Sequence, residues 1–287
     1  MNAFDWALSQ LDGWPVPVAA AAVVGPGGIL AAHGPTDAAL PLASVTKPLA
    51  VLSVLVAVEE GAVELSDPAD ERVIPGATLR HLLSHASGYA PERPMRSFAP
   101  GVRRIYSNVG IERAATLVAD AVGMPFEVYF AESLVRPLRL TSTLLPGSPA
   151  RDGVSSVADL ARVMQEVLAP AGLLHPATLA DATSVQYPGL RGVLPGYGNR
   201  DPNDWGLGFE IRGTKQPHWT GSTNSPATFG HFGQSGTMFW IDPAVGIGLV
   251  ALTDRDFDQW AKDGWPALSD AVLAAAQQAT STGHSHL

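Results

Sequence analysis

Apolar positions in this chain crowd into short runs near both ends and recur with helical spacing through the middle. Residues 3–12 pattern as a short helix. Val16 to Val24 and Ile29 to His33 then read as two strands, with Gly25-Pro26-Gly27-Gly28 as the turn between them. Ser44 to Glu60 predicts a largely buried helix closed by Gly61. Pro48 is tolerated only near a helix start, where backbone N–H groups lack partners, and so it sets the helix N-terminus close to Ser44. Leu79–Ser84, Ile111–Val122, Phe126–Leu134 and Val157–Leu168 are further candidate helices, and residues 189–204 read as loop. Strand signals return at Gly206–Arg212, Ala227–Phe232, Met238–Asp242 and Gly246–Thr253. A final helix is predicted from about Phe257 to Ala279, followed by a mobile tail over residues 281–287.

Strands at both ends with helices between them suit an α+β fold. One antiparallel sheet is built from both termini and flanked by helices, with a mostly helical region inserted. On this reading residues 1–280 form a single catalytic domain. Its sheet part is 1–60 and 205–280, and its helical part is 61–204. A chain of 287 residues, 46% of them hydrophobic, is long enough to bury a large core.

Charge and cysteine content narrow the chemistry. Acidic residues outnumber basic ones, 27 to 18, and no Lys/Arg cluster compensates, which argues against a nucleic-acid or anionic-membrane partner. The absence of cysteine excludes disulfides, thiolate catalysis and cysteine-ligated zinc. Met1-Asn2-Ala3-Phe4-Asp5-Trp6 lacks the charged and apolar regions of a signal peptide, and the longest apolar run, Pro48–Val58, is too short to span a bilayer. A cytoplasmic location is the resulting expectation.

Ser44-Val45-Thr46-Lys47 places a hydroxyl and an amine three residues apart at a helix start, on one face and within mutual reach. A serine becomes a useful nucleophile when a base takes its proton, and a lysine is such a base only when burial or a neighbouring cation lowers its pKa. The spacing alone also fits an N-cap serine followed by a surface lysine. The nearly unbroken apolar run after Lys47 points instead to desolvation.

With four later segments added, the chain resembles the serine β-lactamase and penicillin-binding protein superfamily, closest to its class C β-lactamase and family VIII esterase-like branch. Ala43-Ser44-Val45-Thr46-Lys47 is similar to the first motif and Tyr106-Ser107-Asn108 to the second. His231-Phe232-Gly233-Gln234-Ser235-Gly236-Thr237 is similar to the third. His81 to Gly88 resembles the helix-to-loop segment after the nucleophile helix, and Trp240 to Gly248 the closing hairpin.

The resemblance implies a serine hydrolase working through an acyl-enzyme, with no cofactor and no metal. Ser44 is the nucleophile, Lys47 and Tyr106 move its proton, and the backbone N–H groups of Ser44 and Gln234 form the oxyanion hole. Asn108 offers its amide to a substrate carbonyl, His231 lines the substrate site, and Gly233 lets substrate pass close to the strand. A phenol beside an ammonium is expected to lose its proton more easily. The substrate is expected to be a small ester, amide or short peptide. A β-lactamase or D-amino-acid peptidase, and a non-catalytic ligand- or peptide-binding relative, remain as alternatives.

His231 stands where many penicillin-recognising enzymes have lysine, so the permanent cation for a substrate carboxylate is missing and a carboxylate-free ester or amide fits better. The chain is also short for the class C branch, and no Ser-Asp-Asn segment is present. His81 and His85 are spaced as a metal pair but lack a third ligand, so a structural role is expected. His284 and His286 read as solvated tail residues, and Trp205 as a packing residue.

Overall fold

The computed structural model describes residues 2–283. The chain opens with helix α1 (Ala3–Leu8), whose Asn2 cap exchanges hydrogen bonds with Asp5. Strands β1 (Ala19–Gly25) and β2 (Gly28–His33) follow as the expected hairpin. Then come β3 (Leu40–Pro41) and the core helix α2 (Thr46–Glu59). The helical region holds α3 (Leu79–Leu83), α4 (Asn108–Val122), α5 (Phe126–Phe130), strand β4 (Val154–Ser155), α6 (Val157–Leu168) and α7 (Pro176–Ala182). A small hairpin, β5 (Gly192–Leu194) and β6 (Gly198–Arg200), precedes β7 (Glu210–Ile211), β8 (Phe229–Gly233), β9 (Thr237–Asp242), β10 (Ile247–Thr253) and helix α8 (Gln259–Gly283).

Six strands form one antiparallel sheet in the order β2-β1-β10-β9-β8-β7, so β1 from the N-terminal end pairs with β10 from the C-terminal end. Alternation along each central strand decides which face a side chain serves. Ala20, Ala22, Val24, Val250, Leu252, Phe239 and Ile241 join the core that contains α2 and α6. Ala21, Val23, Leu249, Ala251, Met238 and Trp240 join the second core, under α1 and α8. Both faces are covered, which is why β1 and β10 read as continuous apolar runs. Helix α2 is apolar all round because it is buried on nearly every side.

Several expectations shift. The strand expected over Gly206–Arg212 is only Glu210–Ile211. The N–H groups of Leu207 and Gly208 bond to Ala182 and Leu83 of the helical part instead of to a neighbouring strand. Helix α4 begins three residues before Ile111, because the Ser107 side chain accepts the Gly110 N–H and caps it. Helix α7 and the short strands β3 to β6 were not anticipated; the strands are two or three residues long, too short for a periodic signal. Residues 281–283 of the expected tail continue α8, while His284, His286 and the rest of residues 284–287 lie outside the described residues. No single helix among the described residues is long and apolar enough to cross a membrane.

Candidate active site

Ser44 sits in a single 3-10 turn, Ala43–Val45, that leads into α2, so the α-helix proper starts just after it. Pro48 is the third residue of α2, where its missing N–H costs nothing. Ala43 is held at φ +44, a conformation that non-glycine residues rarely adopt, in the turn that packs the half-buried Ser44 against β8 and β9. Two long-range contacts hold the turn. The Leu42 N–H bonds to the Gly153 carbonyl at 2.8 Å, and the Gly153 N–H bonds to Thr46 Oγ1 at 2.9 Å.

Lys47, one turn on, is fully buried. Its Nζ lies 3.1 Å from Ser44 Oγ and 2.8 Å from the Ala150 carbonyl. No carboxylate pairs with it among the described residues. Burial therefore holds the amine well below the usual lysine range, and the Arg151 guanidinium pushes the same way, while Glu92 and Glu112 oppose.

Tyr106 reaches the same point from the loop before α4. It lines the same cavity as Ser44, and its ring lies under Lys47, with Nζ 4.5 Å from the ring centroid. Desolvation raises the phenol above its ordinary range, and the nearby Ser44 hydroxyl offsets this only in part. This reverses the expected acidification by an ammonium neighbour: the lysine beside Tyr106 is itself driven toward the neutral amine. Tyr106 thus keeps its proton at neutral pH.

His85 positions Tyr106. It adopts φ +57, accepts the Ser107 N–H on Nδ1 at 3.2 Å, and packs its ring 4.7 Å from that of Tyr106. It also meets the Trp205 ring edge-on at 4.7 Å. His81 instead stacks on Tyr187 and accepts the Thr78 N–H on Nδ1, so the two histidines serve different neighbours. No group of three or more His, Cys, Asp or Glu among the described residues is placed to hold a metal. Arg104, also fully buried, donates to the carbonyls of Asn203, Ser84, Gln186 and Tyr187, tying the loops behind Tyr106 together.

His231 is buried on β8. Its Nδ1 lies 2.7 Å from the Phe232 carbonyl, which can only accept, so the proton sits there and Nε2 is left as a buried acceptor without a protein partner. Burial, aided by Lys47, pushes its pKa down to about 3. The ring is therefore neutral throughout the physiological range.

Asn108 is the first residue of α4. Its amide donates to Glu92, whose other oxygen pairs with Arg151 at 3.2 Å, and its Oδ1 is buried without a partner. Asn108 does not line the Ser44 cavity. The Glu92 bond uses one of the two amide N–H groups of Asn108.

Gly233 has a packing reason beside the expected one. A Cβ there would lie 2.3 Å from the Leu42 carbonyl oxygen and 3.1 Å from the Ala43 Cβ. The structure shows a close approach of β8 to the turn that carries Ser44. Gln234 follows in the β8–β9 turn and, with Ser44, Tyr106, His231 and Trp205, lines a cavity of about 190 Å³. Trp205 is therefore a cavity wall as well as a packing residue. Glu210 also reaches this cavity and was not singled out from the sequence; it is buried against Lys215, His218 and Trp219. A larger groove of about 630 Å³ lies near α2 and α6, but Ser133, the one hydroxyl on its lining, has no base beside it.

A family model described as Beta-lactamase matches residues 12–273. The chain belongs to that family. A solved structure described as a beta-lactamase (Mb2281c) from Mycobacterium bovis is 53% identical, with TM-score 0.91, covering 94% of this chain and 99% of that one. Esterase EstB from Burkholderia gladioli is 25% identical, covering 83% of each chain. The D-alanyl-D-alanine-carboxypeptidase/endopeptidase AmpH of Escherichia coli (strain K12) is 28% identical over 39% of this chain and 38% of its own. The chain spans about half the length, 54%, of the first curated Escherichia coli relatives it matches. The Mycobacterium bovis structure shares the fold of this chain.

Proposed function

We propose that this member of the Beta-lactamase family is a serine hydrolase that cleaves a small ester or amide through an acyl-enzyme on Ser44. The observation that carries this reading is the approach of a fully buried, carboxylate-free Lys47 amine to within 3.1 Å of Ser44 Oγ. A neutral amine there takes the serine proton as Oγ attacks the carbonyl. Ser44 and Gln234 both line the cavity, and on this reading their backbone N–H groups stabilise the oxyanion. Tyr106, protonated, passes its proton to the departing alkoxide or amine and recovers one from the Lys47 ammonium. Water then releases the acid by the same steps in reverse.

Two features support a neutral substrate with a short acyl group. The cavity is about 190 Å³, below the usual range for drug-sized ligands. His231 contributes a neutral acceptor, so the site has no fixed cation there for a substrate carboxylate. The names of the relatives keep peptidase and β-lactam hydrolysis as the second reading, because their family is shared. The test compares p-nitrophenyl acetate and butyrate with nitrocefin and D-Ala-D-Ala peptides, together with intact mass after fluorophosphonate treatment. Ester turnover and a single adduct, both lost in Ser44→Ala, are expected. An equal adduct on Ser44→Ala would end the proposal.

A further inference from the structure

The β5–β6 turn separates the Ser44 cavity from a second one. Leu194 and Pro195 line the first, while Gly196 and Tyr197 line a space of about 500 Å³ closed by Arg212, His218, Lys262 and Pro266. No carboxylate is hydrogen-bonded to its cations among the described residues, and Glu210, Asp270 and Asp242 act on Arg212 only through space. Arg212 is only 5% exposed, yet it forms no ion pair among the described residues. Its Nε has no hydrogen-bond partner, and its Nη1 reaches only the Gly213 carbonyl at 3.4 Å. A buried guanidinium in that state carries a desolvation cost that an anion would offset.

Lys262 repeats the pattern. Its ammonium lies 5.7 Å from the ring centroids of Tyr197 and Phe257 and has no carboxylate partner among the described residues. The Tyr197 hydroxyl is buried and unpartnered. Nearby carboxylates are already satisfied. Asp270 accepts from the N–H and hydroxyl groups of Ser222 and Thr223, Glu210 is bound to Lys215 and His218, and Asp263 accepts from Gln259 at 2.8 Å.

We propose that this second cavity is a binding site for a carboxylate-bearing ligand, held by the Arg212 guanidinium and the Lys262 ammonium. An Arg fork matches the two oxygens of a carboxylate. Asp263 on the lining, and Glu210, Asp270 and Asp242 acting on Arg212, offset much of the positive charge, which disfavours a phosphate dianion more than a monoanion. The rings of Tyr197 and the two prolines Pro217 and Pro266 supply an apolar wall for the rest of the molecule. The site stands apart from Ser44 and does not depend on the hydrolase reading.

The test is calorimetric titration of benzoate into the Ser44→Ala protein, where no turnover intervenes. Saturable binding is expected, with benzamide and inorganic phosphate weaker by about tenfold or more. Arg212→Gln and Lys262→Gln should each weaken benzoate by about the same factor. Lys262 is only half-buried, so its variant keeps the test open if Arg212→Gln fails to fold. Equal affinity for benzamide, tighter binding of phosphate, or benzoate binding unchanged by Lys262→Gln would overturn the proposal.

Discussion

Lys47 Nζ lies 4.5 Å above the centroid of the Tyr106 ring. A cation–π contact of that kind favours the charged amine by about 0.5–2 kcal/mol. Full burial works against the charge and is the largest influence on Lys47, so the balance falls toward the neutral base. The same burial keeps the phenol protonated. The pair is therefore poised as amine and phenol, and the pH dependence of the reaction follows from it.

Activity should rise with pH as Lys47 loses its proton, with the midpoint well below the 10.5 of an ordinary lysine. No descending limb from Tyr106 is expected up to its ordinary value of 10.0, because its own shift is upward. Replacement of Lys47 by Met should lower kcat/KM by about 10²- to 10⁴-fold and remove the ascending limb. A pH–rate profile for p-nitrophenyl butyrate checks this. A midpoint in the ordinary lysine range would refute the neutral-base reading.

Arg151 and Glu92 should move that limb in opposite directions. Arg151 lowers the Lys47 pKa by repulsion and Glu92 raises it by attraction. Arg151→Gln should therefore shift the limb to higher pH and Glu92→Gln to lower pH, each by several tenths of a unit to about one unit. Both side chains are part-exposed, so added salt should shrink both shifts. Shifts of the same sign in the two variants would be inconsistent with a charge effect on Lys47.

His231 should weaken the fold in acid. Its folded pKa, about 3, lies below the ordinary 6.5, so the unfolded chain binds the proton first. Its stabilising contribution is complete above pH 6.5 and is lost as pH falls through that window toward 3. His85, shifted the same way by burial, adds to the slope. His231→Gln should reduce the dependence of unfolding free energy on pH between 6.5 and 4 by up to about 1.4 kcal/mol per pH unit. Denaturant titrations at several pH values measure it, and parallel curves for the two proteins would count against a neutral buried His231.

Gly233→Ala should damage activity more than stability. The added methyl meets the Leu42 carbonyl oxygen at 2.3 Å, on the segment that carries Ser44. Overpacking of this kind costs about 1–3 kcal/mol. The displaced turn should also lengthen the Ser44–Lys47 approach, lowering kcat by about tenfold or more. Thermal denaturation alongside kcat separates the two effects. Full kcat in a folded variant would show that the turn does not depend on this contact.

The amino-acid sequence alone determined what depends on local spacing. A spacing of three from Ser44 to Lys47, with Pro48 near the helix start, brings hydroxyl and amine to one face wherever the helix goes. Runs of small and β-branched residues at both ends specified the central strands β1 and β10, because a sheet covered on both faces needs apolar side chains on both. Only the tertiary structure decided the rest. The closeness of Tyr106 to Ser44, the burial that changes the protonation of Lys47, Tyr106 and His231, and the supports from His85, Arg104 and Ala150 join residues far apart in the chain. The same is true of Gly233, whose neighbour is Leu42, and of Asn108, whose amide donates to Glu92. Hydrogen-bond partners and desolvation are set by what packs alongside, and periodicity within one segment carries no record of that.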